Sequence, residues 1–276
     1  MKKALLGLGA AFAVFSLALP ASAWQVDDLN KTISQTNFIV NSGCTGTLIS
    51  LKYKLILTAY HCIDSFVSVS EHEVIKDGEV RKVKLEDLKD VPVSQKSYKD
   101  GRLVGNVDYQ TKIVAKRKTY DLALLQVLSD DFPYTYASHV LSPGKIVRRG
   151  ETAYAVGNPA GLDATVTQGI ISSVNRTEIT SWSDGGELAF LQYSGGIYFG
   201  NSGGALYNDE GELIGVPDAL KGTSQLGLAI SYTMIRKFLD ESCYGDAWND
   251  KIDSHDVCVK AKEEKAKKKA KEEKSD

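Results

Sequence analysis

Net charge is nearly absent from this sequence: the formal value is −2 at pH 7. No basic face precedes the C-terminal tail, so nothing electrostatic argues for nucleic acid. A second long apolar run is also lacking. Only residues 4–19 approach the roughly 20 residues a membrane span needs, so no later segment is expected to cross a bilayer. The four cysteines, Cys44, Cys62, Cys243 and Cys258, lack the CxxC pairs of a zinc site. No repeat of fixed period occurs, which sets aside solenoids and propellers. What is present is ordinary globular material, 43% hydrophobic and 25% charged over 276 residues. That is enough for a sizeable core in one large domain or two small ones.

The N-terminus reads as an export signal. Lys2 and Lys3 precede the apolar run, Pro20 breaks it, and Ala21-Ser22-Ala23 is the small-x-small pattern of a cleavage site. Cleavage is expected after Ala23, leaving Trp24 first in a secreted or periplasmic protein. An exported chain with four cysteines is expected to carry two disulfides, for which three pairings exist. Two strand-like runs meet at a turn centred on Tyr53, equidistant from Cys44 and Cys62, so a hairpin there brings these two together. Cys243 then pairs with Cys258 by elimination.

Short strand-like runs separated by Gly, Asn and Pro turns recur from residue 38 to about residue 232. The pattern predicts an all-β barrel or sandwich. Helix is expected at the 59–62 turn and over 233–241. Residues 71–101 are polar and aperiodic, predicting surface loops or a hairpin. The Lys/Glu-rich tail has lysines three and four residues beyond Glu263 and Glu264. It reads as a solvated helix or a frayed tail, because no apolar face is available to bury.

Chemistry concentrates in Gly200-Asn201-Ser202-Gly203-Gly204. A serine hydroxyl needs an adjacent base, and its tetrahedral intermediate needs preorganised N–H donors. Glycines around it allow a tight turn and leave room for substrate. The same pattern fits the nucleophile elbow of α/β-hydrolases, in which the acid and histidine follow the serine. Here only His255 follows Ser202. Before it come Leu57-Thr58-Ala59-Tyr60-His61-Cys62, with a histidine beside a cysteine after an apolar strand, and Tyr120-Asp121-Leu122-Ala123-Leu124-Leu125, with an acid at the mouth of another. A shielded carboxylate orienting an imidazole is the arrangement that activates a serine. His72, His139 and His255 lack such surroundings and read as surface residues.

These residues carry a resemblance. Together with Thr45-Gly46-Thr47-Leu48-Ile49-Ser50, Gly157-Asn158-Pro159, residues 165–172, Gly211-Glu212-Leu213-Ile214-Gly215 and Leu228-Ala229-Ile230, they make the chain similar to the trypsin-like serine proteases. The HtrA/Deg branch is the nearest in motif. The resemblance spans roughly residues 37–239. It implies two six-stranded antiparallel β-barrels of chymotrypsin type, followed by a short C-terminal helix. The expected organisation is a signal peptide (1–23), a protease domain (24–242) and a disulfide-linked segment with a charged tail (243–276).

The family's roles carry over to this sequence residue by residue. His61 becomes the general base, Asp121 its orienting acid and Ser202 the nucleophile of an endopeptidase working through an acyl-enzyme, with no metal or organic cofactor. The amides of Gly200 and Ser202 become the oxyanion hole. Gly196, Ile197, Ala219 and Leu220 become the substrate pocket, which lacks the pocket acid of trypsin-type enzymes. Small or medium aliphatic residues are therefore expected before the scissile bond, with Asp218 a complication if it points inward. Asn201 replaces the aspartate that links digestive members to zymogen cleavage, so no cut beyond signal removal is expected. The stretch beyond Asp240 is too short for the PDZ domain usual in the branch. Protein or peptide substrates are the expected partners, and two other classes compete: a non-catalytic binding homologue and an esterase-type α/β-hydrolase.

Overall fold

The computed structural model describes residues 26–272 apart from 77, 100–101, 181, 183 and 223–225. The signal peptide expected over 1–23, and Trp24, lie outside the described residues. A first helix, α1 (Val26–Thr36), leads into fifteen strands and two further helices.

The N-terminal half is a seven-stranded sheet. Its strands are β1 (Asn37–Val40), β2 (Cys44–Ser50), β3 (Leu55–Ala59), β6 (Val93–Lys99), β7 (Arg102–Tyr109), β8 (Thr111–Arg117) and β9 (Leu122–Val127). They run in the order β7-β6-β1-β2-β3-β9-β8. Between β3 and β6 a separate ribbon stands out, β4 (Val67–Lys76) paired along its whole length with β5 (Glu79–Leu88). The C-terminal half comprises β10 (Thr152–Gly157), β11 (Thr165–Ile179), β12 (Glu187–Tyr193), β13 (Ala205–Asn208), β14 (Leu213–Lys221) and β15 (Leu226–Ser231). These close into a six-stranded barrel, β10-β11-β12-β15-β14-β13.

The all-β architecture and the closed second barrel match expectation, but the first unit has seven strands in place of six. Its β6 meets β1 at only two residue pairs, Ile39↔Ser94 and Val40↔Val93, and then runs on as a hairpin with β7. Strand β7, exposed except for Tyr109, is thereby left at one edge, and β8 lies at the other. The polar stretch 71–101 thus forms most of two hairpins.

Alternation along the strands sorts the core. Leu55, Leu57, Leu122 and Leu124 face Phe190, Tyr207, Val216, Leu228 and Ile230 of the barrel in one shared cluster. The intervening Ile56, Ala123 and Leu125 face the interior of the N-terminal sheet with Phe38, Val40 and Leu48. Strands β3 and β9 are therefore buried on both faces, which is why they read as unbroken apolar runs. Each fully buried Leu or Phe contributes about 1.5–3 kcal/mol of transfer free energy. Helix α2 (Tyr232–Glu241) closes the bottom of the shared cluster with Ile235, Phe238 and Leu239, an i, i+3, i+4 stripe. Its first turn is capped by the Ser231 hydroxyl, which accepts the Thr233 N–H.

Disulfides join Cys44 to Cys62 and Cys243 to Cys258. The second anchors α3 (His255–Glu272), the helical form of the charged tail. His255 departs from its expected surface role: its ring stacks on Tyr244 with centroids 4.3 Å apart. Nδ1 of the same ring lies 3.0 Å from the Cys243 carbonyl. No helix among the described residues is long and apolar enough to cross a membrane.

Candidate active site

His61 lies in a one-turn 3-10 helix, Tyr60–Cys62, that ends β3 beside the Cys44–Cys62 bridge. Asp121 caps another such turn, Lys118–Tyr120, in the left-handed region (φ 48°, ψ 41°), and opens β9. Because β3 and β9 are paired through Ala59↔Leu122, the two turns emerge side by side. The Tyr60 N–H donates to the Asp121 carbonyl at 3.0 Å. The carboxylate of Asp121 is fully buried and takes the His61 backbone N–H on Oδ1 at 2.8 Å. Its Oδ2 lies 2.6 Å from His61 Nδ1. A ring nitrogen facing a carboxylate this closely carries the proton, which leaves Nε2 as the basic nitrogen.

Ser202 comes from the other half, on the loop before β13. Its carbonyl accepts the Thr45 N–H at 2.9 Å, and the Cys62 sulfur lies 3.6 Å from the same oxygen. Ser202 is therefore packed against the residue that comes after His61. Its hydroxyl donates to the Asp218 carbonyl at 3.5 Å. Among the described residues no hydrogen bond joins that hydroxyl to the His61 ring. The structure thus couples His61 to Asp121 directly and places Ser202 beside them with Oγ turned toward β14.

The loop around Ser202 is held by its glycines and by one threonine. A Cβ at Gly203 (φ +80°) would come within 2.3 Å of the Thr45 carbonyl, so only glycine fits there. The Thr45 hydroxyl donates to the Gly200 carbonyl at 2.7 Å and accepts the Asn158 N–H at 2.9 Å. The Phe199 carbonyl accepts the Ala160 N–H at 2.8 Å. In a trans peptide that directs the Gly200 N–H to the opposite side.

Burial governs the titration of the acids. Burial lowers the His61 imidazole below its ordinary value, opposed by the Asp218 and Asp64 carboxylates. It pushes Asp121 up to about 6, against the hydrogen bonds that favour its charge. Asp218 is raised well above the ordinary carboxylate range by burial and by the neighbouring Asp121.

Donor atoms of His61, Asp121 and Asp218 all lie within 4.8 Å of one another. Two ligands of one tetrahedral zinc ion stand about 3.4 Å apart. The 2.6 Å between Nδ1 and Oδ2 is the length of a charge-assisted hydrogen bond instead. The cysteines nearby are bonded to each other.

The residues expected to form a substrate pocket, Gly196, Ile197, Ala219 and Leu220, are all buried or half-buried. Ile197 is buried, and its side chain covers Gly227, where an added Cβ would lie 2.3 Å from its Cδ1. The Gly196 carbonyl accepts the Thr167 hydroxyl at 2.7 Å. Ala219 and Leu220 are half-buried on β14. Sequence reasoning passed over three residues here: Thr45, Asn158 and Trp182. The first two are buried polar residues inside the motifs that carry the resemblance. Trp182 sits in a loop without pattern, and its ring lies 5.0 Å from that of His61.

A model of the trypsin-like peptidase domain matches residues 44–216 and so takes in His61, Asp121 and Ser202. The chain belongs to this family. The trypsin-like peptidase is 33% identical over 150 residues to serine protease HTRA1A of Danio rerio, covering 54% of this chain and 30% of that one. It is 31% identical over 179 residues to the periplasmic serine endoprotease DegP of Salmonella typhimurium, covering 63% and 32%. The peptidase thus spans about a third of the length of these curated relatives. The crystal structure of Deg5 superposes with a TM-score of 0.55 at 23% identity, covering 76% of this chain and 90% of Deg5, a likeness of fold.

Proposed function

We propose that this peptidase is an exported serine endopeptidase whose protease domain occupies residues 24–242. In this reading Ser202 Oγ attacks the scissile carbonyl carbon while His61 Nε2 takes its proton. His61 then returns that proton to the departing amine. Asp121 holds the Nδ1–H tautomer and offsets the charge of the imidazolium. The amides of Gly200 and Ser202 receive the developing oxyanion, where each donor is worth roughly 3 kcal/mol. Rotation about the Ser202 Cα–Cβ bond, away from the Asp218 carbonyl, supplies the serine–histidine hydrogen bond; such bonds are commonly loose before substrate arrives. The observation that carries the reading is the 2.6 Å His61–Asp121 contact beside a serine whose carbonyl accepts the Thr45 N–H and lies 3.6 Å from the Cys62 sulfur.

With Ile197 over Gly227 and no acid at Gly196, the pocket suits a small or medium aliphatic residue and would strand a cationic one without a counter-ion. The test is fluorophosphonate labelling and hydrolysis of a peptide panel by the mature chain and its Ser202→Ala variant. Wild type should label and cleave after Val or Ala in preference to Arg, and Ser202→Ala should lose at least about a thousandfold in kcat. A folded wild type that neither labels nor cleaves would make it a binding homologue.

A further inference from the structure

The proposed chemistry leaves one buried acid unused. Asp218 lies on β14 where the pairing with β15 slips between Pro217↔Ala229 and Ala219↔Leu228. It is the extra residue of that bulge, and bulges re-aim side chains out of strict alternation. Its side chain is fully buried, with Oδ1 at 3.5 Å from His61 Nδ1, the nitrogen that already faces Asp121. The Trp182 indole N–H donates to the same Oδ1 at 3.2 Å. Oδ2 is buried and, among the described residues, accepts from no donor. The Asp218 backbone carbonyl meanwhile receives the Ser202 hydroxyl.

Two carboxylates this close in a dry site do not both ionise; one keeps a proton. Donors decide which. Asp121 receives two N–H groups from His61, both favouring its charged form. Among the described residues Asp218 receives only the indole, and an unpartnered Oδ2 suits an O–H better than a bare carboxylate oxygen. The titratable groups facing Asp218 are Asp121 and His61, with Asp64 and Tyr60 of the 60–66 turns facing that pair from beyond. We propose that Asp218 is a protonated acid that donates its O–H to the Asp121 carboxylate and so holds the Asp121–His61 pair in its working orientation. It is a positioning residue, and its role rests on the endopeptidase reading above. Burial and Asp121 both raise its proton affinity in the direction this requires.

Asp218→Ala and Asp218→Asn in the mature chain test the assignment through kcat, KM and the NMR titration of the His61 ring. Removing the donor in Asp218→Ala should lower kcat about ten- to hundredfold with KM within about twofold. Asn, a neutral donor of the same shape, should restore kcat to within about threefold and leave the His61 midpoint unchanged, because no charge has been removed. The proposal is overturned by wild-type kcat in the Ala variant. It is equally overturned by a His61 midpoint that falls a unit or more in the Asn variant, the mark of an ionised Asp218. If Asp218→Ala does not fold, the Asn variant decides by its kcat and its titration. If wild type itself neither labels nor cleaves, the endopeptidase reading fails, while the His61 titration still reports whether Asp218 carries a proton.

Discussion

The C-terminal half closes its hydrogen bonds into a barrel, whereas the N-terminal half leaves two strand edges and a free ribbon. The division of labour tracks that difference. The closed half supplies Ser202 and Asp218 from a bulge and a glycine-bound loop, places where a barrel can deform locally. The open half supplies His61 and Asp121 from the ends of β3 and β9, interior strands of its sheet that are buried throughout but for Gln126. Openness is thus confined to strands other than β3 and β9.

Truncation should expose the contrast most strongly. Phe190→Ala, in the cluster shared by the two halves, should cost about 3–5 kcal/mol, whereas Leu85→Ala on the exposed ribbon should change stability by less than about 0.5 kcal/mol. Urea denaturation measures both, and comparable losses would mean that the ribbon packs on something in solution.

The disulfides sharpen the contrast next. They close loops of similar size, 18 and 15 residues in separation, so removing either pair with two Cys→Ala changes should cost about 3 kcal/mol. Their effects on turnover should differ. Opening Cys44–Cys62 frees the turn that holds His61 and should lower kcat, while opening Cys243–Cys258 frees only α3. Equal losses of kcat would break this assignment.

A smaller effect is expected in the pH dependence of stability. Asp218 and Asp121 hold protons more tightly folded than unfolded. Their contribution is therefore full below the ordinary value of 3.8 and declines as pH rises toward the folded values. Asp218→Asn removes its share of that decline. The Tm of the Asn variant should thus gain on wild type as pH rises above about 4, as thermal scans would show.

What the sequence made legible was local. Ser202, His61 and Asp121 each stand in a short motif whose neighbours point to the proposed role, and their order along the chain separated the architectures. The Cys44–Cys62 hairpin was readable because both arms are equally long about Tyr53. The ribbon and β6–β7 escaped detail because exposed strands need no apolar alternation, and α1 escaped because two of its three buried residues, Thr32 and Thr36, are polar. The inward aim of Asp218 was beyond reach for another reason. It comes from a one-residue slip between β14 and β15, and pairing register leaves no periodic trace in one strand alone. The covering of Gly227 by Ile197 likewise joins residues thirty positions apart, one in a loop and one on β15.

Thr45 ties these observations together. Strand β2 carries none of the reacting groups, yet this one residue grips the Ser202 and Gly200 carbonyls from across the seam and receives the Asn158 amide. It acts as a rivet, so the two halves cannot hinge apart without tearing the Ser202 loop from its mount. On the proposed endopeptidase reading, room for a polypeptide must therefore come from loops yielding at the rim, while the junction beneath stays shut.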